Sequence, residues 1–323
     1  MIHLSFKVSI GVDIAKKKFD VATLIDGKYK HKNFPNDELG YIDFVTWFLL
    51  LCGDVKPLIC MEATGAYSLP LADFLATQGY AVSIVNTAKI HAFAKSELSR
   101  AKTDKADAKL IARYALTIQP PLWIPPPANI RDLQALLRRV EHLLEMIQME
   151  RNRSETVEKS TLASINKVLE VLEAELKETR EAIKNHINNN PDLKKRSDLL
   201  VTIPGIGEAS IAHILVVLSE HRGFKSAKQV VAFAGLAPSL RQSGQWRGNT
   251  HIAKSGDSAL RKALYMPALS AWRHNPLIRV FCERLKANGK NGKAIACAAM
   301  RKLIHIAFGV LKSGKPFDPN YAI

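Results

Sequence analysis

The stretch VSIGVDIAKKKFDVATLIDGKYKHKNF, residues 8–34, reads as strand, strand, strand, and that reading decides the fold. VSIGVDI is a short run rich in β-branched residues, FDVATLI is a second, and KYKHKNF is a third that follows the turn at Asp26-Gly27. Asp-Gly between two such runs signals a hairpin, because glycine takes the positive φ that a tight turn needs. Two successive hairpins predict three antiparallel strands before any helix begins.

Downstream the period changes. Residues 39–52 are amphipathic, PLICME (57–62) is a short apolar run, and AYSLPLADFLATQG (66–79) is helical in pattern. YAVSIVN (80–86) is another strand, and a helix runs through KADAKLIARYALT (105–117). The predicted order is β-β-β-α-β-α-β-α, the layout of ribonuclease-H-like domains. PPLWIPPP, residues 120–127, stops the last helix and marks a domain boundary, because the residue before each proline is pushed out of the helical region. The first domain is therefore assigned to residues 1–125.

Beyond the prolines, Leu133, Leu136, Leu137, Val140, Leu143, Leu144 and Ile147 recur at helical spacing. Leu162, Ile165, Leu169, Leu172, Leu176, Ile183 and Ile187 continue the pattern as far as NNNPD. With charged faces between them, these are two long amphipathic helices over residues 126–192, either a coiled-coil dimerisation arm or an intramolecular spacer. From Ser197 the chain is helical again, interrupted by the polar loop APSLRQSGQWRGNTHIAKSGDS. Residues 193–323 form a third, helical domain in this reading, so the fold class is α/β followed by all-α.

Charge points to the partner. With 46 Lys+Arg against 30 Asp+Glu the net charge is +16, which suits a polyanion such as nucleic acid. Residues 201–323 hold 18 basic and 5 acidic side chains, whereas residues 121–200 hold 13 of each. The four cysteines, Cys52, Cys60, Cys282 and Cys297, have neither zinc-site spacing nor disulfide-scaffold density, and read as reduced core residues. The N-terminus lacks a signal-peptide pattern and apolar runs such as FVTWFLLLC are too short to span a bilayer, so a cytoplasmic protein is expected.

Within this basic chain sits an acidic constellation. Asp104 and Asp107, at i and i+3 on one helical face, point their carboxylates the same way. Asp13 lies within the first strand and Glu62 closes the fourth; those strands are neighbours in a ribonuclease-H-like sheet, and the last helix packs across them. Four carboxylates converging in this way suit Mg²⁺ or Mn²⁺, hard cations that bind oxygen and stabilise charge at a phosphorus. Each acid also has a structural alternative: helix capping for Asp104 and Glu62, pairing with a lysine for Asp107, an edge position for Asp13.

In the basic domain, IPGIGEASIAHIL (203–215) resembles the hairpin of a helix-hairpin-helix motif, with Gly205 and Gly207 letting backbone N–H groups approach a phosphate; the alternative is a glycine turn between packed helices. PSLRQSGQWRG carries Ser239 and Ser243 beside Arg241 and Arg247. Composition favours neither serine. A hydroxyl beside a metal-bound phosphodiester, with arginines to neutralise charge, has the makings of a nucleophile. Asp257, Ser255 and Ser258 are candidates to cap the helix at ALRKAL.

GVDIAKKKFDV, MEATGAY, KTDKADAKLIA, IPGIG, FAGLAPS, SGQWRG and ALRKALYMPAL occur in the order seen in the DEDD insertion-sequence transposases, also called bridge-RNA-guided recombinases. The chain resembles that family over almost its whole length; only residues 1–7 have no obvious counterpart. The resemblance implies a RuvC-like catalytic domain, a coiled-coil region and a C-terminal transposase domain with an essential serine. Carried onto this chain, the acids are Asp13, Glu62, Asp104 and Asp107 and the serine is Ser243. It further implies a structured noncoding guide RNA whose loops pair with target and donor double-stranded DNA, and a homo-oligomer in which one subunit's serine domain completes another's acidic site. Arg241, Arg247, Lys254, Arg261 and Lys262 are the candidates for phosphate contact. The competing expectation is a metal-dependent nuclease, resembling a junction resolvase, that uses water as nucleophile and leaves Ser243 structural.

Overall fold

Alternation of apolar side chains builds the opening meander as β1 Ser9–Ile14, β2 Lys18–Ile25 and β3 Lys28–Pro35, with Gly27 at φ 73 in the second turn. The structure, a computed structural model, describes residues 6–25, 27–97, 103–239, 242–243, 246–247, 251–253 and 256–320. Asp26, part of the expected turn, lies outside the described residues. Contacts divide the chain into two units that meet at Pro125 and Pro126.

In the first unit, α1 Glu38–Cys52 is followed by β4 Leu58–Glu62, a 3-10 turn at Gly65–Tyr67, α2 Leu69–Thr77, β5 Ala81–Val85, α3 Thr87–Ser96 and α4 Asp104–Ile118. The strand order is β3-β2-β1-β4-β5, antiparallel through the meander and parallel from β1 to β4 to β5. This mixed sheet agrees with the ribonuclease-H-like layout. Period-2 alternation sorts its faces: Ile10, Val12, Phe19, Val21, Ile59 and Met61 pack on one side with Phe44, Phe48, Leu71 and Leu75 of α1 and α2. On the other side Leu58 and Cys60 pack against Leu110, Ile111, Tyr114 and Ala115 of α4.

One helix escaped the sequence reading, which passed from β5 to the last helix directly. α3 is capped by the Asn86 side chain, which accepts from Ala88 N–H at 2.8 Å, and its apolar stripe is one short turn, Ile90 with the half-buried Phe93 and Ala94, packed beside α4. The proline-rich segment runs beside β5: Trp123 N–H donates to the Val82 carbonyl at 2.7 Å and Ser83 Oγ to the Pro121 carbonyl at 2.9 Å. Those bonds satisfy groups on an otherwise unpaired edge strand.

The second unit opens with α5 Ala128–Ser154 and α6 Lys159–Asn188, packed together through Leu143, Ile147 and Leu176. α7 Pro191–Val201 starts earlier than the sequence reading placed it: Asn190 caps it and Pro191 takes the first helical position, where its missing N–H costs nothing. There follow α8 Glu208–Val217, a 3-10 turn at Glu220–Arg222 and α9 Ala227–Phe233. The expected polar loop holds four two-residue strands, β6 Pro238–Ser239, β7 Gln242–Ser243, β8 Trp246–Arg247 and β9 His251–Ile252. Strands that short have no readable period.

α10 Ser258–His274, α11 Pro276–Ala287 and α12 Gly292–Ser313 complete the unit. Asp257 caps α10, accepting from Leu260 N–H at 2.9 Å, as expected; Ser255 lies outside the described residues. α12 is long and apolar enough to cross a membrane by composition, yet half of that stretch is buried in the unit's core with Leu215, Leu260 and Leu264. Ile130, Leu133, Leu137, Ile183 and Ile187 of α5 and α6 belong to the same core. Of the cysteines, all free, Cys60 and Cys282 are buried and Cys52 and Cys297 partly so.

Candidate active site

Ser9, Gly11 and Asp13 alternate on the face of β1 that α4 covers. Ser9 Oγ donates to the Ala112 carbonyl at 2.7 Å. A side chain at Gly11 would put its Cβ 2.1 Å from the Ala108 carbonyl oxygen and 2.2 Å from Ala112 N, so the helix backbone rests directly on this glycine. Two strand residues advance about 6.6 Å, and four helical residues advance about 6 Å. The register of Ser9 at Ala112 and Gly11 between Ala108 and Ala112 therefore continues to Asp13 beside the first turn of α4, which carries Asp104 and Asp107. Glycine is required here by close approach, which fixes α4 on the face of β1 that carries Asp13.

The same parity puts Glu62, two residues after Cys60, on the α4 face. Thr103 caps α4, accepting from Ala106 N–H at 3.2 Å, which leaves Asp104 and Asp107 in the first turn, where the helix dipole favours negative charge. Thus Asp104 is not the cap. Burial pushes the Asp13 carboxyl up to about 6, and the charges of Asp107, Asp104, Glu62 and Asp20 push the same way. All four predicted acids, and one more, act on a single locality. Their separation remains loose: among the described residues no three His, Cys, Asp or Glu side chains are close enough to hold an ion together.

Asp20 was missed by sequence reasoning. It lies directly opposite Asp13 in the β1–β2 register and is buried. Like charges facing each other across a strand pair are unfavourable unless compensated. Compensation comes from Lys18, whose Nζ lies 3.0 Å from Asp20 Oδ2 and 2.9 Å from Asp104 Oδ2, and from His31, whose Nε2 lies 3.0 Å from Asp20 Oδ1. Hydrogen bonds to Asp104 and then Asp20 raise the Lys18 pKa, and the bond to Lys18 lowers that of Asp104. Counting register outward from the first hairpin turn is the one sequence signal that could have found this network.

The residues present suit a hard divalent cation. Every predicted ligand is a carboxylate, and one of them, Asp104, already holds the Lys18 ammonium at 2.9 Å. Beside Glu62, the Thr64 hydroxyl is buried without a hydrogen-bond partner among the described residues.

In the second unit, Ser243 pairs with Trp246 and Gln242 with Arg247 in a β-hairpin, while Ser239 pairs with His251 on the outer β6–β9 pair. Arg241 and Lys254 lie outside the described residues. Outside the β6–β9 pair, Asp257 N–H donates to the Phe233 carbonyl at 2.9 Å, and a Cβ on Gly256 would lie 2.3 Å from that oxygen. Arg261 Nη1 donates to the Ala234 carbonyl at 2.9 Å and the Gly256 carbonyl at 3.1 Å, so its guanidinium is engaged inside the protein. Lys262 is exposed and faces Glu141 at 3.6 Å.

Gly205, at φ +102, lies against Ala271, where a Cβ would approach within 2.6 Å. Its glycine is required by helix packing. Gly207 instead caps α8 in the open, with nothing within 4 Å of the position a Cβ would take.

Two family models match this chain. Residues 10–162 match the DEDD type described as "Transposase", and residues 197–283 match the one described as "Transposase IS116/IS110/IS902 family". A "Pilin gene-inverting protein" of Moraxella lacunata is 38% identical over 315 residues, covering 97% of this chain and 98% of that protein. The protein of the same description from Moraxella bovis is 36% identical over the same shares. An "Insertion element IS110 uncharacterized 43.6 kDa protein" of Streptomyces coelicolor is 28% identical over 44% of this chain and 35% of its own length.

Proposed function

The chain belongs to the IS116/IS110/IS902 family of transposases, and from that premise we propose that it is the recombinase of an insertion sequence, joining donor to target DNA through a serine-linked intermediate. The observation that supports this reading is the seating of α4 on Gly11, which sets the first turn of α4, with Asp104 and Asp107, on the face of the sheet that carries Asp13, although Asp104 lies 91 positions from Asp13 in sequence. Asp13, Glu62, Asp104 and Asp107 are the residues that would hold Mg²⁺ or Mn²⁺. When bound, such an ion neutralises charge on a scissile phosphodiester.

In this reading Ser243 supplies the nucleophile. Its hydroxyl loses a proton to solvent as the oxygen bonds to phosphorus; the bond to the departing DNA oxygen breaks, and that oxygen takes up a proton. A hydroxyl of the second DNA then attacks the phosphoserine ester and frees Ser243. One phosphodiester is exchanged for another, so no ATP is consumed.

Sequence choice is assigned to a structured noncoding RNA from the same element, pairing with donor and target DNA in the cytoplasm, while the protein binds backbones. Gly207 at the head of α8, Arg241, Arg247, Lys254 and Lys262 are the proposed phosphate contacts, with the α7–α8 turn acting as a helix-hairpin-helix. Gly205 shapes that turn, and Arg261 bonds to the Ala234 and Gly256 carbonyls rather than to phosphate. The paired α5 and α6 serve as the coiled-coil contact of a homo-oligomer. The Moraxella proteins are named for inverting pilin genes, and inversion needs the same cutting and rejoining as insertion.

The test is Ser243→Ala with a DNA substrate carrying both ends. It abolishes the covalent protein–DNA adduct, seen as a shifted band on a denaturing gel, and abolishes joining, while Asp104→Asn abolishes cleavage altogether. Cleavage near the wild-type rate in Ser243→Ala would instead establish a water-dependent nuclease.

A further inference from the structure

Asp107, Asp104, Glu62 and Asp20 all act on the Asp13 carboxyl, and among the described residues the Lys18 ammonium bridges two of these acids, Asp20 and Asp104. Lys18 starts β2 and Asp20 follows two residues later on the same face. Each oxygen of the buried Asp20 is taken, Oδ1 by His31 and Oδ2 by Lys18, so this acid anchors the lysine. The far side of the ammonium reaches Asp104 Oδ2, an oxygen that a metal ligand would use. His31, Asp20, Lys18 and Asp104 thereby tie β3 and β2 to the first turn of α4.

We propose that Lys18 is the resident cation of the acidic site, holding the Asp104 carboxylate in the metal-free protein and competing with the divalent ion for it. The inference rests on the reading of the four acids as a metal site. An ammonium and a divalent ion want the same oxygen, and two cations a few ångströms apart repel. The lysine side chain is half exposed on a flexible stem, so it yields its place without disturbing the fold, whereas buried Asp20 stays behind to receive it again. Metal binding is then an exchange of one cation for another: the protein keeps its acids assembled at all times, at the expense of metal affinity.

Manganese binding to the full-length protein, freed of nucleic acid, tests this by the loss of the free Mn²⁺ signal in electron paramagnetic resonance. Lys18→Met, which keeps the stem and removes the charge, binds Mn²⁺ about threefold to tenfold more tightly than wild type. Lys18→Arg, which keeps the charge, stays near wild type. In an Asp104→Asn background Lys18→Met changes affinity little, because the contested oxygen is gone. Unchanged or weaker binding in Lys18→Met, with circular dichroism matching wild type, overturns the proposal. Asp13→Asn separates the two levels: if it leaves Mn²⁺ binding intact, the metal-site reading itself falls and this inference with it. If Asp13→Asn abolishes binding and Lys18→Met does nothing, only the resident cation is lost.

Discussion

Asp13 is placed where burial and neighbouring carboxylates raise its carboxyl to about 6 from an ordinary 3.8. Between those values the folded chain keeps a proton that the unfolded chain has released. Its contribution therefore favours folding on the acid side and is lost as pH rises from about 4 through 6. Asp13→Asn removes that penalty: without metal, the variant melts above wild type at pH 7.5, by roughly 1–2 kcal/mol once solvent screening of a partly exposed group is allowed for, and the gap closes toward pH 4. Excess Mn²⁺ reverses the order, because only the wild type gains from binding. Thermal melts with chelator and with metal check both halves. At this scale residue type was legible, since acids in a basic chain stand out. Lys18, Asp20 and His31 were not, because lysine, aspartate and histidine on a hairpin look like a solvated face until the register sets Asp20 opposite Asp13.

The elements show why one glycine matters more than four acids. Gly11→Ala drives a methyl group to 2.1 Å from a backbone oxygen of α4, and backbone yields less readily than a side chain tip. The helix must lift, at a cost of about 2–4 kcal/mol, and Asp104 and Asp107 in its first turn move away from the sheet face of Asp13 with it. A lower denaturant midpoint together with weaker Mn²⁺ binding is the expected result; loss of stability alone would separate the seating of α4 from the assembly of the site. Strands of six to eight residues and helices with a clear apolar stripe were legible from their periods. α3 was hidden because its stripe is a single turn, Ile90, Phe93 and Ala94, among polar and small residues, and the serine hairpin because its strands are two residues long. Gly205 was legible as special but not as to why: packing against Ala271 is a fact about a helix 66 residues away.

At the scale of the whole molecule the acids and the positive charge are kept apart in sequence, with 18 basic against 5 acidic side chains in residues 201–323. Such an excess binds any nucleic acid at low salt, so binding by itself says nothing about guidance. Salt separates the cases, because phosphate contacts are lost steeply through counterion release, by about 10³–10⁵ in affinity between 50 and 200 mM for six to ten contacts. RNA that stays with the protein in stringent salt is held by its shape, by stacking and by base contacts that counterions do not compete for. We therefore expect one discrete RNA to survive when the protein is expressed with the DNA flanking its gene and purified at high salt. Sequencing should map that RNA next to the gene, with loops matching the element's ends and its insertion site. A heterogeneous mixture, or none, would mean that the basic second unit reads DNA directly, and the search for specificity would move from the RNA to Arg241, Arg247 and the α7–α8 turn.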